Sequence, residues 1–411
     1  MIVSCDTPGL LTISQALKVM LNNISPLRDK QSLPLLGAYG KVLASDLISP
    51  IQVPPADNSA MDGYALRAED LASSDTLELI GVSMAGTPFA GEVTKGQCVR
   101  IMTGAIIPLG ADAVVMQENT QVEQRHIRFL EHVRPGNNIR RAGEDIERGA
   151  QVLQQGQRLH GAHLSLLASV GIAEVEVVRP VTVGLIATGD ELTPPGQPLV
   201  LGGIYESNRY ALHAMLSQLG AQVIDFGLVK DDKPSLRRAF SLADSQCDLV
   251  ISSGGVSVGE ADFVKDILDD MGQINFWKVA IKPGKPFAFG KLKSAWFCGL
   301  PGNPVSSYVT FQQLVLPVLQ KLSAEQATQA EYFVAQAATT IRKRPGRSDY
   351  QRGIYYRDEA GTLWVKPNGK QGSGIMSSIA NANCYIVLAQ EDGDIAQGQQ
   401  LKIQPFNGMV R

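Results

Sequence analysis

The chain has 411 residues, more than one hydrophobic core normally holds, so we expect two to four domains. It is 44% hydrophobic and 19% charged, as in an ordinary globular protein, and its net charge of −3 disfavours a general nucleic-acid binder. No apolar run is long enough to cross a membrane, and the first residues lack the basic start and apolar core of a signal peptide. We therefore expect a cytoplasmic protein with neither a nucleic-acid nor a membrane partner.

The cysteines and histidines predict neither disulfides nor a structural zinc site. The five cysteines are scattered without a C-x-x-C pair, which predicts buried free thiols in a reducing compartment. His160 and His163 lie three residues apart, but no third ligand is visible nearby. We therefore expect structural roles for both histidines.

The N-terminal part combines an early helix with a run of short strands. Apolar residues at helical spacing predict a helix over residues 12–22, and a proline-rich polar loop follows over residues 53–59. Glycine-punctuated segments then predict a small β-rich domain, with strands over residues 77–82, 97–102, 113–117 and 126–129. A second helix is predicted over residues 162–169.

From residue 179 onwards strands alternate with helices, which is typical of a doubly wound α/β domain with a mostly parallel sheet. The predicted strands are residues 181–187, 222–229, 249–252 and 295–299, and the predicted helices are residues 208–219, 234–243, 262–271 and 304–322. After about residue 326, short strands and frequent glycines predict a compact β-barrel or sandwich. Open α/β sheets bind ligands beyond the carboxyl ends of their strands, so the site is expected there.

Four loops of the α/β domain carry residues suited to a phosphate site: 188–192, 252–262, 282–286 and 300–304. Their glycines let backbone N–H groups approach an anion without an intervening Cβ atom. In the last loop Asn303 is placed to cap the following helix, with Pro304 in its first turn and free N–H groups facing an anion. A plain turn explains any single loop equally well, and the shared pattern of the four favours a site.

Charge divides between these loops as a phosphorylated ligand and a divalent cation would require. Lys278, Lys282 and Lys285 are suited to binding oxyanions. The nearby carboxylates are Asp190, Glu191, Asp231, Asp232, Glu260 and Asp262. Mg²⁺ is commonly held by one or two acids plus substrate phosphates, although Asp232 is better explained as stabilising a helix N-terminus. Neither GxxxxGK[ST] nor GxGxxG occurs at these loops, which disfavours a P-loop kinase and a dinucleotide dehydrogenase.

Seven segments, in order along the chain, carry a family resemblance. They are residues 57–65, 100–105, 143–146, 188–192, 252–262, 282–286 and 300–305. Together they closely resemble the molybdopterin molybdenumtransferases of molybdenum cofactor synthesis, a family related to the gephyrin E domain. The resemblance covers essentially the whole chain, and seven matches in order are far more specific than any one loop.

The resemblance implies a fold and a reaction. It implies a split, elongated domain over residues 1–52 and 140–178, a small β-rich domain over 53–139, an α/β molybdopterin-binding domain over 179–325 and a C-terminal β-barrel over 326–411. It implies a homodimer whose cleft is shared between subunits, and it makes molybdopterin adenylyltransferase a further candidate partner. The implied reaction requires Mg²⁺ and converts adenylyl-molybdopterin and molybdate to molybdenum cofactor and AMP.

Roles for individual residues follow from the same resemblance, and they are hypotheses. The catalytic set is Asp62, Thr103, Asp145, Glu191, Lys278 and Lys282. The substrate-binding set is Arg140, Gly254, Gly255, Ser257, Lys285, Pro301, Gly302, Pro304 and Ser373. The metal set is Asp231, Asp262 and Glu191. Residues from the small domains are expected to complete the cleft of the partner subunit, and for Ser373 a plain turn is the better explanation.

Two other functions compete with this one. The preceding adenylyltransferase step uses a similar α/β domain, but it needs only residues 181–322, and this chain has three further domains. A binding scaffold, as the gephyrin E domain partly is, usually needs a linker to other modules. No disordered linker is visible in this sequence, and the acidic and basic loops are intact.

Overall fold

The computed structural model describes residues 10–255, 263–327 and 330–406. A six-stranded sheet forms the centre of the molecule. Its strands, in spatial order, are Gln222–Val229, Thr182–Thr188, Leu249–Ser253, Trp296–Leu300, Pro286–Lys291 and Gln273–Lys278. The first four strands pair in parallel, and Pro286–Lys291 pairs antiparallel with both of its neighbours. The predicted doubly wound, mostly parallel sheet is therefore confirmed.

The last two strands of this sheet were absent from the sequence-based prediction. Gln273–Lys278 and Pro286–Lys291 form an antiparallel pair at the sheet edge, in which Pro286 is the first residue of its strand. Proline is tolerated at that position but reads as a strand breaker in sequence. The aromatic side chains of Trp277, Phe287 and Phe289 are buried, so packing stabilises the pair.

Helices cover both faces of the central sheet and enclose two apolar clusters. They are Ile13–Asn23, Asn208–Gln218, Lys233–Gln246, Phe263–Met271, Pro304–Thr310 and Leu316–Leu322. The last two are joined by the π-helical turn Phe311–Val315. The single helix predicted over residues 304–322 is therefore continuous, with a π-helical turn in its middle. The core on one face includes Leu212, Leu216 and Phe311, and the core on the other face includes Leu236 and Phe240.

A separate six-stranded sheet forms the predicted small β-rich domain. Its strands, in spatial order, are Ala113–Met116, Gly63–Leu66, Gln97–Ile101, Thr76–Ser83, His126–Phe129 and Thr120–Glu123. The chain on either side of this domain is joined by three antiparallel pairs of short strands. These pairs are Lys30–Pro34 with Glu174–Val178, Leu47–Ile48 with Gln151–Leu153, and Asn58–Ser59 with Ile139–Arg140. Two distant segments therefore build one elongated domain, which also holds the helix Gly161–Ser169.

The C-terminal part is a β-barrel, as predicted. Its five strands are Ser348–Arg357, Leu363–Pro367, Phe333–Ala337, Gln400–Pro405 and Cys384–Leu388, and the first pairs with the last to close the barrel. The short helix Ser377–Ala380 lies between two of these strands. A sixth, two-residue strand, Ile281–Lys282, comes from the α/β domain and pairs in parallel with Ser348 and Asp349. The barrel is thereby fixed directly to the loop that follows Lys282.

Three smaller expectations concern the cysteines, a membrane span and the two histidines. Cys98, Cys247, Cys298 and Cys384 are buried free thiols as predicted, and Cys5 lies outside the described residues. Across residues 10–255, 263–327 and 330–406, no helix is long and apolar enough to span a bilayer. The His160 and His163 rings lie 5.6 Å apart, and the described residues hold no group of three metal-binding side chains.

Candidate active site

All four predicted loops lie at the same edge of the central sheet, because Lys278 and Pro286, which flank the loop over residues 282–286, pair with each other beside the end of Trp296–Leu300. Thr182–Thr188, Leu249–Ser253 and Trp296–Leu300 are neighbouring parallel strands, so their carboxyl ends lie side by side. The backbone N–H of Gly254 donates to the carbonyl of Leu300 at 3.1 Å, which joins the loop that starts at residue 252 to the loop over residues 300–304. The surface that these loops border along the sheet edge is called the cleft from here on.

Gly254 and Gly255 are required by the close approach of these loops. Both have positive φ angles, 98° and 67°, which favour glycine. A Cβ atom on Gly254 would lie 2.5 Å from the carbonyl oxygen of Thr188, and one on Gly255 would lie 2.3 Å from a methyl group of Val264. Ser257 and Asp262, which the sequence assigned to the substrate and metal sets, lie outside the described residues.

The loop over residues 300–304 is closed on one side by the C-terminal barrel. Asn303 occupies the N-cap position of the helix Pro304–Thr310, with Pro304 in the first turn as predicted. The prediction that the Asn303 side chain caps this helix is wrong, because that side chain makes no capping hydrogen bond. The N–H of Val305 donates instead to the carbonyl of Ser373 at 3.0 Å, so one N–H expected to face an anion is already used. Pro301 is buried and Gly302 is exposed.

The carboxylates at the sheet edge lie close enough to disturb one another. The hydroxyl of Thr188 donates to Asp231 at 3.4 Å, and the backbone N–H of Asp231 donates to Asp190 at 3.4 Å. Burial, and then the charges of Asp190 and Glu191, raise the pKa of Asp231. Asp232 differs, because it accepts from the N–H of Ser235 at the start of a helix, which lowers its pKa. This confirms its predicted helix-stabilising role.

The three predicted lysines differ in exposure and in their contacts. Lys278 ends the strand Gln273–Lys278 and Lys285 lies just before Pro286–Lys291, and both side chains are exposed. Lys282 is half-buried, and its Nζ donates to Asp349 Oδ2 at 2.9 Å. The Asp349 side chain is 3% exposed and also accepts from Gln351 at 3.2 Å. The C-terminal barrel therefore holds Lys282 at the edge of the cleft.

Arg352 is a candidate that sequence reasoning missed. It is 1% exposed, and its guanidinium donates to the hydroxyl of Ser378 at 3.0 Å and to the carbonyls of Tyr350 and Gly372 at 3.3 Å. Burial lowers its pKa from the ordinary arginine value. A buried arginine beside Gly372 and Ser373 supplies positive charge near the 300–304 loop. An arginine in a strand is normally a surface residue, so the sequence alone did not indicate that Arg352 is buried.

The small-domain residues form a second group. Asp62 accepts hydrogen bonds from the backbone N–H of Thr103 at 2.7 Å and from its hydroxyl at 2.8 Å, which lower the pKa of Asp62. Arg140 pairs with Asn58 in a short strand, and the N–H of Asp145 donates to the carbonyl of Val53. These contacts of Asp62, Thr103, Arg140 and Asp145 all lie inside the small and elongated domains.

Loops rich in glycine, paired acids and exposed lysines make this cleft suited to an anionic, phosphate-bearing ligand together with a divalent cation. The fold and site thus define a multidomain α/β protein whose sheet-edge loops are suited to a phosphorylated ligand. Family comparisons are more specific. Residues 11–171 match the MoeA N-terminal region (domains I and II), 184–321 a probable molybdopterin binding domain, and 334–406 the MoeA C-terminal region (domain IV).

Whole-chain relatives agree with these matches. A molybdopterin molybdenumtransferase of Haemophilus influenzae is 50% identical over 98% of this chain and 100% of its own length. One from a Nostoc species is 36% identical over 92% of this chain and 88% of its own length. A crystal structure of the molybdopterin biosynthesis moeA protein from Pyrococcus horikoshii superposes with a TM-score of 0.85 at 31% identity, covering 97% of this chain and 100% of that one. The chain belongs to the MoeA family of molybdopterin molybdenumtransferases, and it is a transferase of molybdenum cofactor biosynthesis.

Proposed function

We propose that this protein inserts molybdenum into molybdopterin, by converting adenylyl-molybdopterin and molybdate to molybdenum cofactor and AMP. The observation that carries the proposal is the convergence of the glycine loops at one sheet edge, flanked by acids on one side and by cationic residues on the other. The substrate has a pyrophosphate linkage and molybdate is a second oxyanion. A cleft for both requires several cationic donors beside the carboxylates.

The cationic donors have distinct tasks in this proposal. Exposed Lys278 and Lys285 bind molybdate or the terminal phosphate, and Lys282 is oriented by its ion pair with Asp349. Gly254, Gly255, Pro301 and Gly302 line the pocket for the pterin phosphate. Arg352 adds a fixed positive charge from the barrel, because fixed donors stabilise a developing negative charge without reorganising.

Magnesium fits the carboxylate side of the cleft. Burial, and then the negative charges of Asp190 and Glu191, raise the pKa of Asp231, and a bound cation would favour the ionised carboxylate against both effects. Mg²⁺ is usually held by one or two carboxylates with substrate phosphates supplying further oxygens, so Asp231 with Glu191 or Asp190 is sufficient. When bound, the ion would neutralise charge on the phosphates and favour loss of AMP.

The proposed assembly is a homodimer in which each cleft is completed by the partner subunit. Asp62, Thr103, Arg140 and Asp145 make their contacts within the small and elongated domains, and in this proposal they act in the partner's cleft. A two-fold dimer gives both clefts the same additional residues. A cytoplasmic location and an interaction with molybdopterin adenylyltransferase are parts of the same proposal.

Release of AMP tests the proposed reaction. The protein is incubated with adenylyl-molybdopterin and Mg²⁺, and AMP is measured before and after molybdate is added. We expect molybdate-dependent AMP release, and its absence from the wild-type protein would overturn the proposal. A parallel incubation with molybdopterin and ATP tests the rival adenylyltransferase function, for which adenylylated product would be the positive result.

A further inference from the structure

Asn208, which the sequence did not single out, joins two of the strand-end loops through one amide group. Its Nδ2 donates to the hydroxyl of Ser253 at 2.8 Å and to the carbonyl of Gly302 at 2.7 Å. A side-chain amide has two N–H donors, so both are used in this arrangement. Ser253 ends the strand before Gly254, and Gly302 lies in the 300–304 loop.

The backbone that carries Asn208 is itself held firmly. Asn208 is the first residue of the helix Asn208–Gln218, and Glu206 accepts from the backbone N–H of Arg209 at 2.8 Å. Glu206 is 3% exposed, and Arg209 forms ion pairs with both Glu206 and Asp225. Glu206 is buried and Arg209 is half-buried, so the two ion pairs of Arg209 restrain the start of the helix.

The same helix start is also tied to the acidic loop over residues 188–192. The N–H of Ile204 donates to the carbonyl of Glu191 at 2.8 Å, and the N–H of Glu206 donates to the carbonyl of Thr193 at 3.0 Å. Asn208 therefore lies where three loops are linked: the acidic loop, the loop that begins with Ser252–Gly255 (the glycine loop) and the 300–304 loop. Among the side-chain hydrogen bonds of the described residues, none other than those of Asn208 joins the last two of these loops.

We propose that Asn208 is a positioning residue that sets the distance between the glycine loop and the 300–304 loop, and so the shape of the pterin-phosphate pocket. This inference rests on the proposed function, because it concerns the same substrate. The Gly254–Leu300 backbone bond joins the strand ends but leaves Gly302 free to move away. The amide of Asn208 removes that freedom, which prepares the pocket before the substrate binds.

A purely structural role makes a different prediction from a positioning role. Loss of two hydrogen bonds lowers stability at either kind of site, so a lower melting temperature does not distinguish them. Only a positioning residue changes substrate affinity in the protein that remains folded. Asn383 provides the matched control, since it makes two side-chain hydrogen bonds to Tyr355, both at 2.8 Å, inside the barrel.

The test compares Asn208→Ala, Asn208→Asp and Asn383→Ala for AMP release and for binding of adenylyl-molybdopterin. We expect Asn208→Ala to raise KM and Kd on the order of 10- to 100-fold, with kcat at saturation changed less than about threefold. Asn208→Asp, which cannot donate and faces the Gly302 carbonyl with a negative charge, is expected to lose at least as much affinity. Asn383→Ala should keep the wild-type KM.

The possible results distinguish a failure of the positioning role from a failure of the proposed function. Unchanged KM and Kd in Asn208→Ala, with an active wild-type protein, would overturn the inference and leave the proposed function standing. An inactive wild-type protein would instead overturn the proposed function. If Asn208→Ala does not fold, Ser253→Ala removes one of the two bonds only, and the same rise in KM, at smaller size, is then required.

Discussion

The carboxylate of Asp62 is held in place and kept ionised chiefly by one neighbouring residue, Thr103. Two donors from Thr103 hold one oxygen of Asp62, and its pKa is lowered, so the group stays ionised across the neutral range. The family resemblance singled out both residues, whereas their hydrogen bonds could not be derived from a separation of 41 positions. Arg352 and Asn208 lacked even a local pattern, because their importance comes from partners that are distant in sequence.

Asp62→Asn is predicted to abolish AMP release while leaving the fold and the affinity for the pterin substrate nearly intact. The asparagine oxygen can still accept both hydrogen bonds from Thr103, so only the negative charge is removed. Turnover and a binding titration on the same preparation check this. Equal loss of affinity and turnover would contradict a catalytic role for Asp62.

Asp57 gives a prediction about pH and stability. It accepts from the N–H of Ala142 at 2.8 Å and pairs with Arg141, and these contacts lower its pKa below the ordinary value of 3.8. The unfolded chain therefore binds a proton more readily than the folded one, and the stabilisation is present above pH 3.8 and lost as pH falls through the lowered value. Because both side chains are partly exposed, the effect is at most about 1 kcal/mol.

The variant Asp57→Asn should therefore unfold at a slightly lower temperature than the wild-type protein at pH 7. The difference should shrink as the pH falls below the ordinary value of 3.8. Thermal unfolding at a series of pH values measures it. A difference that stays constant down to the lowest pH would show that the ion pair is not its source.

At the scale of elements, burial decided which parts of the fold were predictable. The parallel strands Leu249–Ser253 and Thr182–Thr188 are buried along almost their whole length, so they read as continuous apolar runs. Pro286–Lys291 was missed because it begins with a proline and contains a glycine. Gln273–Lys278 has only three large apolar residues, without a clear two-residue alternation, so its pattern did not identify a strand. The two-residue strand Ile281–Lys282 is too short for any periodicity, and only its barrel partner defines it.

That short strand leads to a prediction for Asp349. The Asp349→Asn variant removes the charge that holds Lys282, while the amide oxygen can still accept one hydrogen bond. We expect Lys282 to become less well fixed and the KM for molybdate to rise on the order of 3- to 30-fold, since a charge-assisted bond contributes about 1 to 2 kcal/mol. The KM for molybdate is compared with that of Arg342→Ala, which loses only an exposed ion pair with Asp394. An unchanged KM in Asp349→Asn would contradict the account of Lys282.

At the scale of the whole molecule, the chain has the architecture that the resemblance implied. The elongated domain is assembled from two segments, and the small β-rich domain lies between them in sequence. The boundaries at residues 52, 139, 178 and 325 stay predictions. Composition and periodicity alone could not have joined residues 30–34 to residues 174–178, because antiparallel pairing over such a separation has no local signal.

A heterodimer of two inactive variants tests the shared cleft most directly. Asp62→Asn and Lys278→Ala are co-expressed with different tags, the mixed dimer is isolated, and molybdate-dependent AMP release is measured. If Asp62 acts in the partner's cleft, one of the two sites is intact, and about half of the wild-type activity per dimer should return. Activity no higher than that of the two parent homodimers would contradict the account, because each chain would then have to supply its whole site alone.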